Sequence, residues 1–425
     1  MSRPFPHRWP ALASRGLAVA AVTVAGLLPV GPAQASAPSG TEAVSVSCDS
    51  GDRNCPPKRL SPKVRAELDR TIQQKMREAG IPGAIVGLWM PGKGDYVKSF
   101  GVADTATGAP MTERLNMRIG SETKTFTVTA MLELVDDGLI GLDDPISAYV
   151  AGVPDGDHIT LRQLAEMRSG LFPYSADPDF VATLLADPKR PFTPEELLGY
   201  AFRHPNLFPP GQEGQYSNTN TILLGLVVEK VSGSSLADFI RTRIAKPSHL
   251  DHTFLPRGAE FPEPHAHGYT QQTPTGETAD ATDWNPSWGW AAGGMISDLQ
   301  DLRKWAVDLA TGTLLSPATQ AERLKTLPTA IPTLKYGLGI FDVNGWLGHN
   351  GSLPGYQSLT VYLPAQQATL VILVNSDISY QDNELPTILA KAITGIVTPA
   401  NVYDLPQPAA QSSGGIGEPR YRRLR

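Results

Sequence analysis

Several features that would assign a function class at once are scarce or missing in this sequence. It has 2 cysteines in 425 residues, too few for a disulfide-rich scaffold or a zinc site with four thiolates. Lys and Arg total 36 against 42 Asp and Glu, so no surplus of positive charge marks a nucleic-acid-binding protein. No HExxH, phosphate-loop or G-x-S-x-G pattern occurs. We therefore expect no metal site, no nucleotide cofactor and no α/β-hydrolase fold.

The first 35 residues have the layout of a secretory signal peptide. Arg3, Arg8 and Arg15 form a basic segment, and residues 16–30 are apolar and uncharged. Ala33-Gln34-Ala35 fits the cleavage site, with Ala35-Ser36-Ala37 as a nearby alternative. The alternative is an uncleaved membrane anchor, but the apolar run is shorter than the roughly 20 residues that span a bilayer. We expect cleavage, secretion and no membrane span in the mature chain.

Residues 36–60 are polar and rich in proline and serine, which is typical of a loose leader. Outside the cytoplasm, Cys48 and Cys55 are expected to form a disulfide that closes a small loop, the alternative being two free thiols. At the other end, residues 404–425 are rich in proline, glycine and serine and end in four arginines. We expect them to form a disordered tail.

Between these segments, residues 61–400 are expected to form one catalytic domain of the α+β class. Strand patterns occur near both ends, at residues 84–90, 96–102, 336–341, 357–363 and 368–375. Helix starts dominate the region from about 140 to 330, where Thr160, Thr193 and Ser297 each match a capping box. This distribution predicts an antiparallel sheet flanked by helices, with a mostly helical subdomain inserted between its strands.

The strongest chemical signal is Ser121-Glu122-Thr123-Lys124, directly after Gly120. In a helix, Ser121 and Lys124 lie on one face. A hydroxyl is a weak nucleophile until a base removes its proton, and a desolvated lysine amine is such a base. The start of a helix also offers backbone N–H groups to a developing oxyanion. An ordinary helix cap followed by a solvated lysine is the alternative.

Two further segments carry groups suited to proton transfer and to binding a substrate amide or oxyanion. Tyr216 and Asn218 lie two residues apart in a glycine-rich loop; a phenol can shuttle a proton, and an amide can both donate to and accept from a substrate. His349-Asn350-Gly351-Ser352 precedes an apolar strand. There His349 would donate to Tyr216, Gly351 would allow close backbone approach, and the Ser352 N–H would complete an oxyanion hole. Surface turn residues are the alternative for each segment alone.

In this order, the three motifs resemble the active-site serine penicillin-recognising family, whose pattern is S-x-x-K, Y-x-N, then K-T-G or H-x-G. The resemblance covers about residues 60–397. It is to the branch with class C β-lactamases, secreted D-alanyl-D-alanine carboxypeptidases and related esterases. It implies that Ser121 forms an acyl-enzyme, with Lys124 and Tyr216 moving protons in an order that the sequence leaves open. It also implies a substrate-binding set: Asn218, Trp288, His349, Asn350, Gly351 and Ser352.

The expected activity is therefore D-alanyl-D-alanine carboxypeptidase on peptidoglycan-type peptides, with β-lactams as covalent ligands. An esterase or β-lactamase acting on small esters or amides is the alternative, and a non-hydrolysing penicillin sensor is a weaker one. One position departs from the pattern. Phe341 stands where the similar carboxypeptidases have an arginine that pairs with the peptide carboxylate. Either Asn350 and Ser352 take that role, or the substrate lacks a carboxylate.

Overall fold

The computed structural model describes residues 59–405. The expected signal peptide, and the expected disulfide between Cys48 and Cys55, lie outside the described residues. At the other end, Asp404 and Leu405 were expected in the disordered tail, which is wrong for these two residues. Leu405 is buried, and Asp404 pairs with Lys391 at 2.9 Å. Residues from 406 onward are not described.

Helices and strands alternate unevenly along the described residues. The α-helices are α1 (Pro62–Ala79), α2 (Thr123–Asp136), α3 (Leu161–Ala165), α4 (Pro178–Ala186), α5 (Pro194–Phe202), α6 (Asn218–Ser232), α7 (Leu236–Phe239), α8 (Trp290–Gly293), α9 (Leu299–Thr311), α10 (Pro317–Arg323) and α11 (Leu385–Val397). The strands are β1 (Gly83–Met90), β2 (Gly94–Gly101), β3 (Met117–Arg118), β4 (Tyr269–Thr270), β5 (Ala279–Asp280), β6 (Ile296–Ser297), β7 (Leu327–Pro328), β8 (Leu334–Tyr336), β9 (Phe341–Val343), β10 (Trp346–Leu353), β11 (Tyr356–Leu363) and β12 (Ala368–Val374).

The main sheet joins the two ends of the described chain. Its strand order is β2-β1-β12-β11-β10-β9-β8-β7, and all of its neighbouring pairs are antiparallel. The seam lies between β1 and β12, where Ala84 pairs with Val374 and Trp89 with Thr369. The predicted antiparallel sheet is confirmed.

Helices cover both faces of this sheet because alternate strand residues point in opposite directions. On β1, Val86 packs with one hydrophobic cluster that includes Leu68 of α1 and Ile393 of α11. The next residue back, Ile85, packs with a second cluster that includes Trp305 of α9. The second cluster extends through α2 and α6, so the α-helices between residues 123 and 311 share one core with the sheet.

The first helix shows how local sequence determines its limits. The Ser61 hydroxyl accepts a hydrogen bond from the Val64 N–H at 3.4 Å, and Pro62 occupies the first turn. Gly80 ends the helix with φ of 66°, a left-handed conformation that glycine adopts without strain.

Among the described residues, no helix combines the length and the apolar character that crossing a membrane requires.

Candidate active site

Ser121 lies in a tight turn that leads into α2. Its neighbour Gly120 has φ of 51°, and a methyl group there would lie 2.6 Å from the Ser352 backbone nitrogen. On β10, a methyl group on Gly351 would lie 1.9 Å from the Ile119 carbonyl oxygen. Two glycines therefore let the turn rest directly on β10. As a result, the Ser352 N–H lies beside the Ser121 turn, where the sequence placed it.

Lys124 lies one helical turn after Ser121 and is fully buried. Its Nζ donates to Ser121 Oγ at 3.0 Å, to Asn218 Oδ1 at 2.6 Å and to the Ala292 carbonyl oxygen at 2.7 Å. Nζ also lies 4.7 Å from the centre of the Tyr216 ring. The structure thus brings Ser121, Lys124, Tyr216 and Asn218 together.

Asn218 holds the lysine in place. It is the first residue of α6, and its amide nitrogen donates to Ser175 Oγ at 3.2 Å while its oxygen accepts from Lys124. Both ends of the amide are therefore engaged with protein groups. We expected this amide to meet the substrate; its observed contacts make it a positioning group for Lys124. Sequence reasoning missed Ser175, because no motif marks a serine 43 residues before Asn218.

His349 is buried among aromatic rings. It stacks on Phe341 with ring centres 4.1 Å apart, and its ring centre lies 6.2 Å from that of Tyr216. Nδ1 lies 2.5 Å from the Asn350 carbonyl oxygen, to which it can only donate, so Nε2 of the neutral ring accepts from Tyr336 Oη at 3.3 Å. Burial, aided by the charge of Lys124, lowers the pKa of His349 to about 3. The expected donation from His349 to Tyr216 is therefore wrong, since the neutral ring has a single N–H.

Asn350 does not line an open cleft. It is 2% exposed, and its amide nitrogen donates to the carboxyl of Glu384. Successive residues of a strand point to opposite faces, so the Asn350 side chain points away from the face on which Gly351 supports the Ser121 turn. The expectation that Asn350 recognises a substrate carboxylate is wrong, because that contact would break a bond to a buried carboxyl. Ser352 Oγ is engaged as well, accepting from Gln357 Nε2 at 3.4 Å.

Trp288 is 5% exposed and packs near Phe180, with ring centres 6.1 Å apart. Its backbone carbonyl accepts a hydrogen bond from Tyr174 Oη. The ring, which was expected to bind the substrate, therefore packs within the hydrophobic core.

Glu122 is a buried carboxyl that sequence reasoning did not single out. It follows the nucleophile directly and is 1% exposed. Burial raises the pKa of Glu122 to about 8, and the nearby hydroxyls of Ser358 and Thr360 offset this only in part. The group is therefore a neutral acid at pH 7. Its position inside S-x-x-K, facing β11, gave no sequence signal.

No group of three His, Cys, Asp or Glu side chains among residues 59–405 is arranged to hold a metal ion. The chemistry of the described site rests on a hydroxyl, an amine, a phenol and backbone N–H groups. This set is suited to acyl transfer through a covalent serine ester.

Comparison with known proteins identifies the family. The Beta-lactamase family model matches residues 68–393. This chain belongs to that family, whose fold is the serine penicillin-recognising one, and the predicted resemblance is confirmed. The superfamily consists of serine hydrolases that include amidases, penicillin-binding proteins and β-lactamases.

Individual relatives are distant in sequence. Protein flp of Staphylococcus aureus (strain N315) is 27% identical over 340 residues, which cover 76% of this chain and 65% of that protein. The chain thus spans about two thirds of the length of the first curated relatives it matches. Penicillin-binding protein 4* of Bacillus subtilis (strain 168) is 26% identical over 352 residues, covering 77% of this chain and 75% of that protein.

Two solved structures are similar over nearly their whole length. A D-stereospecific amidohydrolase from Streptomyces sp. superposes with a TM-score of 0.71 at 30% identity, covering 79% of this chain and 99% of that one. The D-amino acid amidase from Ochrobactrum anthropi SV3 has a TM-score of 0.70 at 26% identity, with 79% and 99% covered.

Proposed function

We propose that this protein is a serine hydrolase that cleaves amide or peptide bonds formed by the carbonyl of a D-configured residue. The observation that carries the proposal is the buried Lys124, whose Nζ lies 3.0 Å from Ser121 Oγ and is held by Asn218 and Ala292. Preference for D-configured substrates is supported by the two structural relatives that are named for D-stereospecific amide hydrolysis.

Acylation begins when Ser121 Oγ attacks the substrate carbonyl and its proton passes to the Lys124 and Tyr216 pair. The carbonyl oxygen gains negative charge, which the N–H groups of Ser121 and Ser352 stabilise. The bond from the carbonyl carbon to the leaving nitrogen then breaks. Tyr216 returns the proton to that nitrogen, so the amine departs neutral and an ester to Ser121 remains.

Deacylation repeats these steps with water as the nucleophile. Water loses a proton to the same pair, its oxygen bonds to the acyl carbon, and Ser121 Oγ recovers its proton as the free acid leaves. The phenol and the amine are suited to both half-reactions, because each needs one group to accept and return a single proton.

Hydrolysis of D-alanyl-D-alanine peptides of the cell wall is the narrower form of this proposal. The similarity to a penicillin-binding protein supports it. The aromatic Phe341 and the engaged Asn350 weigh against it, because neither supplies a cation for the terminal carboxylate. Esterase or β-lactamase activity on the same serine is the competing outcome.

We propose export by the signal peptide at residues 1–35 as the route by which the enzyme would reach such substrates. Support comes from the basic, apolar and cleavage-site segments in their usual order. Intact-mass analysis of the protein from culture medium should give an N-terminus at Ser36. Recovery from the cell fraction with an uncleaved N-terminus would contradict export.

The function is tested with an acyl-D-Ala-D-Ala peptide, D- and L-alaninamide, a chromogenic cephalosporin and a short-chain ester, measured side by side. We expect turnover of a D-configured amide or peptide and not of its L counterpart. Ser121→Ala should abolish labelling by fluorescent penicillin and lower the rate about 10³-fold or more. Ser147→Ala, at an exposed serine, is the control. Turnover of the ester alone would refute amide hydrolysis, and labelling of Ser121→Ala would refute the nucleophile.

A further inference from the structure

A recess opens beside Tyr216 and is bounded by the hairpin of β7 and β8. Aromatic and aliphatic side chains make up much of its lining: Tyr216, Tyr336, Met167, Leu327, Pro328 and Leu334. The two tyrosine rings stand nearly perpendicular, with centres 6.3 Å apart. Such a lining favours an apolar ligand, because burying apolar surface is the main source of binding energy that it offers.

The walls of the recess are tied together by backbone hydrogen bonds. The Gln215 N–H donates to the Met167 carbonyl at 2.9 Å, and the Gly211 N–H donates to the Arg168 carbonyl at 2.8 Å. The Arg168 guanidinium donates in turn to the Gly211 carbonyl. These bonds join the segment after α3 to the loop that carries Tyr216, so this wall of the recess is preformed.

Charge in the recess is balanced. The lining includes Glu166 and Arg168, one of each sign, and the described lining holds no other charged side chain. Arg168 is near enough to Glu166 to act on its carboxylate electrostatically, and it already donates to Gly211. Beyond them, the wall behind Tyr336 is the aromatic Phe341, whose ring centre lies 5.1 Å away. In the lining itself, a free carboxylate would therefore meet only Arg168, which lies near the carboxylate of Glu166.

Tyr216 links this recess to the proposed proton transfer. The group that protonates the departing atom must lie within reach of it, and Tyr216 both borders the recess and lies beside Lys124. We propose that the recess is the leaving-group subsite and that it selects uncharged, apolar alkyl or aryl amines and alcohols. This inference rests on the proposed roles of Ser121 and Tyr216. When the bond from the carbonyl carbon to nitrogen breaks and Tyr216 protonates that nitrogen, the amine departs into the recess.

Leu327 is a position at which the subsite can be altered without disturbing the hydrophobic core. Its side chain is 37% exposed, and it pairs with Tyr336 across the β7–β8 hairpin, at the rim of the recess. A charge at this position should disturb the subsite and leave the fold intact. Leu139, which is 58% exposed and does not line the recess, provides a matched control.

The test is a series of N-acetyl-D-alanine amides of methylamine, n-butylamine and n-hexylamine, amines of the same basicity, with N-acetyl-D-Ala-D-Ala as the carboxylate-bearing member. All members give one acyl-enzyme, so the leaving group affects kcat/KM through acylation alone. We expect kcat/KM to rise at least tenfold from the methylamide to the n-butylamide, because burying each methylene favours binding about fourfold. The D-Ala-D-Ala member should fall below the n-butylamide.

Variants locate the effect. Leu327→Asp should remove most of the chain-length dependence of kcat/KM, whereas Leu139→Asp should leave that dependence unchanged. Arg168→Gln should not lower turnover of the D-Ala-D-Ala member selectively. A second series, the acetate esters of methanol, n-butanol and n-hexanol, repeats the measurement without the D-configured residue.

Three results would overturn the subsite. They are a rate independent of chain length, a length dependence unchanged in Leu327→Asp, and a D-Ala-D-Ala member that is preferred and loses that preference in Arg168→Gln. The last result would assign the recess to carboxylates. A flat series with turnover refutes only the subsite. If neither series is turned over while penicillin still labels Ser121, the proposed function fails and the subsite with it.

Discussion

Lys124 Nζ lies 2.6 Å from Asn218 Oδ1, although the two residues are 94 positions apart in the chain. This contact joins α2 to α6 at the point where the nucleophile is activated. The amide oxygen aims the amine at Ser121 without adding a charge of its own. A neutral acceptor leaves the amine free to release its proton, whereas a carboxylate would hold it in the charged form.

The first prediction tests this distinction with Asn218→Asp, a change of nearly equal shape. We expect the rate of acylation by penicillin at pH 7 to fall about 10²-fold, because the new charge keeps Lys124 protonated. The loss should diminish as the pH is raised, since the amine then gives up its proton despite its neighbour.

Asn218→Ala provides the comparison. It removes the acceptor and leaves a buried donor without it, which should lower the acylation rate by about 10- to 100-fold at every pH. The measurement is the rate of fluorescent penicillin labelling from pH 6 to pH 10. Parallel pH profiles for the two variants would contradict a role for the neutral amide in setting the charge of Lys124.

Gly351→Ala is predicted to misplace the nucleophile. Its methyl group would lie 1.9 Å from the Ile119 carbonyl oxygen and 2.7 Å from Ser358 Oγ, so β10 and the Ser121 turn must move apart. A shift of about 1 Å in reacting groups can cost about 10²-fold in rate, which is the loss we expect in penicillin acylation. Overpacking should also destabilise the fold by about 1–3 kcal/mol.

Gly395→Ala is the matched control for this substitution. Gly395 lies in α11, and a methyl group there meets no atom within 4 Å. Alanine in a helix should stabilise the protein by up to about 1 kcal/mol and leave acylation unchanged. Thermal unfolding and labelling rates of both variants check the pair. Normal acylation by Gly351→Ala would show that the turn does not rest on β10 as described.

The pH dependence of catalysis should contain no contribution from His349. Its pKa is lowered to about 3 by burial, so the ring stays neutral from pH 5 to pH 8. We expect His349→Gln to lower kcat/KM about tenfold through the lost contact with Tyr336, while the shape of the profile between these pH values stays that of the parent. An inflection near pH 6.5 that disappears in the variant would show that His349 titrates.

Local sequence patterns predicted the start of a helix well where only one nearby side chain could cap the first backbone N–H groups. The Thr160 capping box is confirmed: its hydroxyl accepts from the Gln163 N–H at 3.2 Å, and Gln163 accepts in return at 3.0 Å. The expected cap at Ser297 is wrong by one residue. Asp298 caps α9, because its carboxylate accepts two N–H groups at 2.9 Å while Ser297 belongs to β6.

In the candidate active site, too, short local patterns could be predicted and contacts between distant residues could not. Ser121, Lys124, Tyr216 and Asn218 could be predicted because each belongs to a short motif. The groups that support them could not, since the Ala292 carbonyl acts through its backbone and the Glu384 carboxyl reaches Asn350 from a different helix start. Tertiary contacts of this kind leave no periodic trace. The direction of Asn350 followed from the strand register, which only the fold supplies.

The last prediction concerns stability and Glu122. Burial raises the pKa of this carboxyl from 4.5 to about 8, so the folded state binds its proton more tightly than the unfolded chain does. As the pH rises above 4.5, the unfolded chain ionises first, and Glu122 increasingly favours unfolding until about pH 8. At pH 7 the effect is about 3 kcal/mol.

Glu122→Gln, which cannot ionise, should match the parent near pH 4.5 and exceed its stability by about this amount at pH 7. Urea unfolding from pH 4.5 to pH 8 measures the difference, with Glu113→Gln at an exposed carboxylate as the control. A difference that stays constant over this range would mean that Glu122 ionises at the same pH in both states, and that its carboxyl is solvated rather than enclosed beneath the nucleophile.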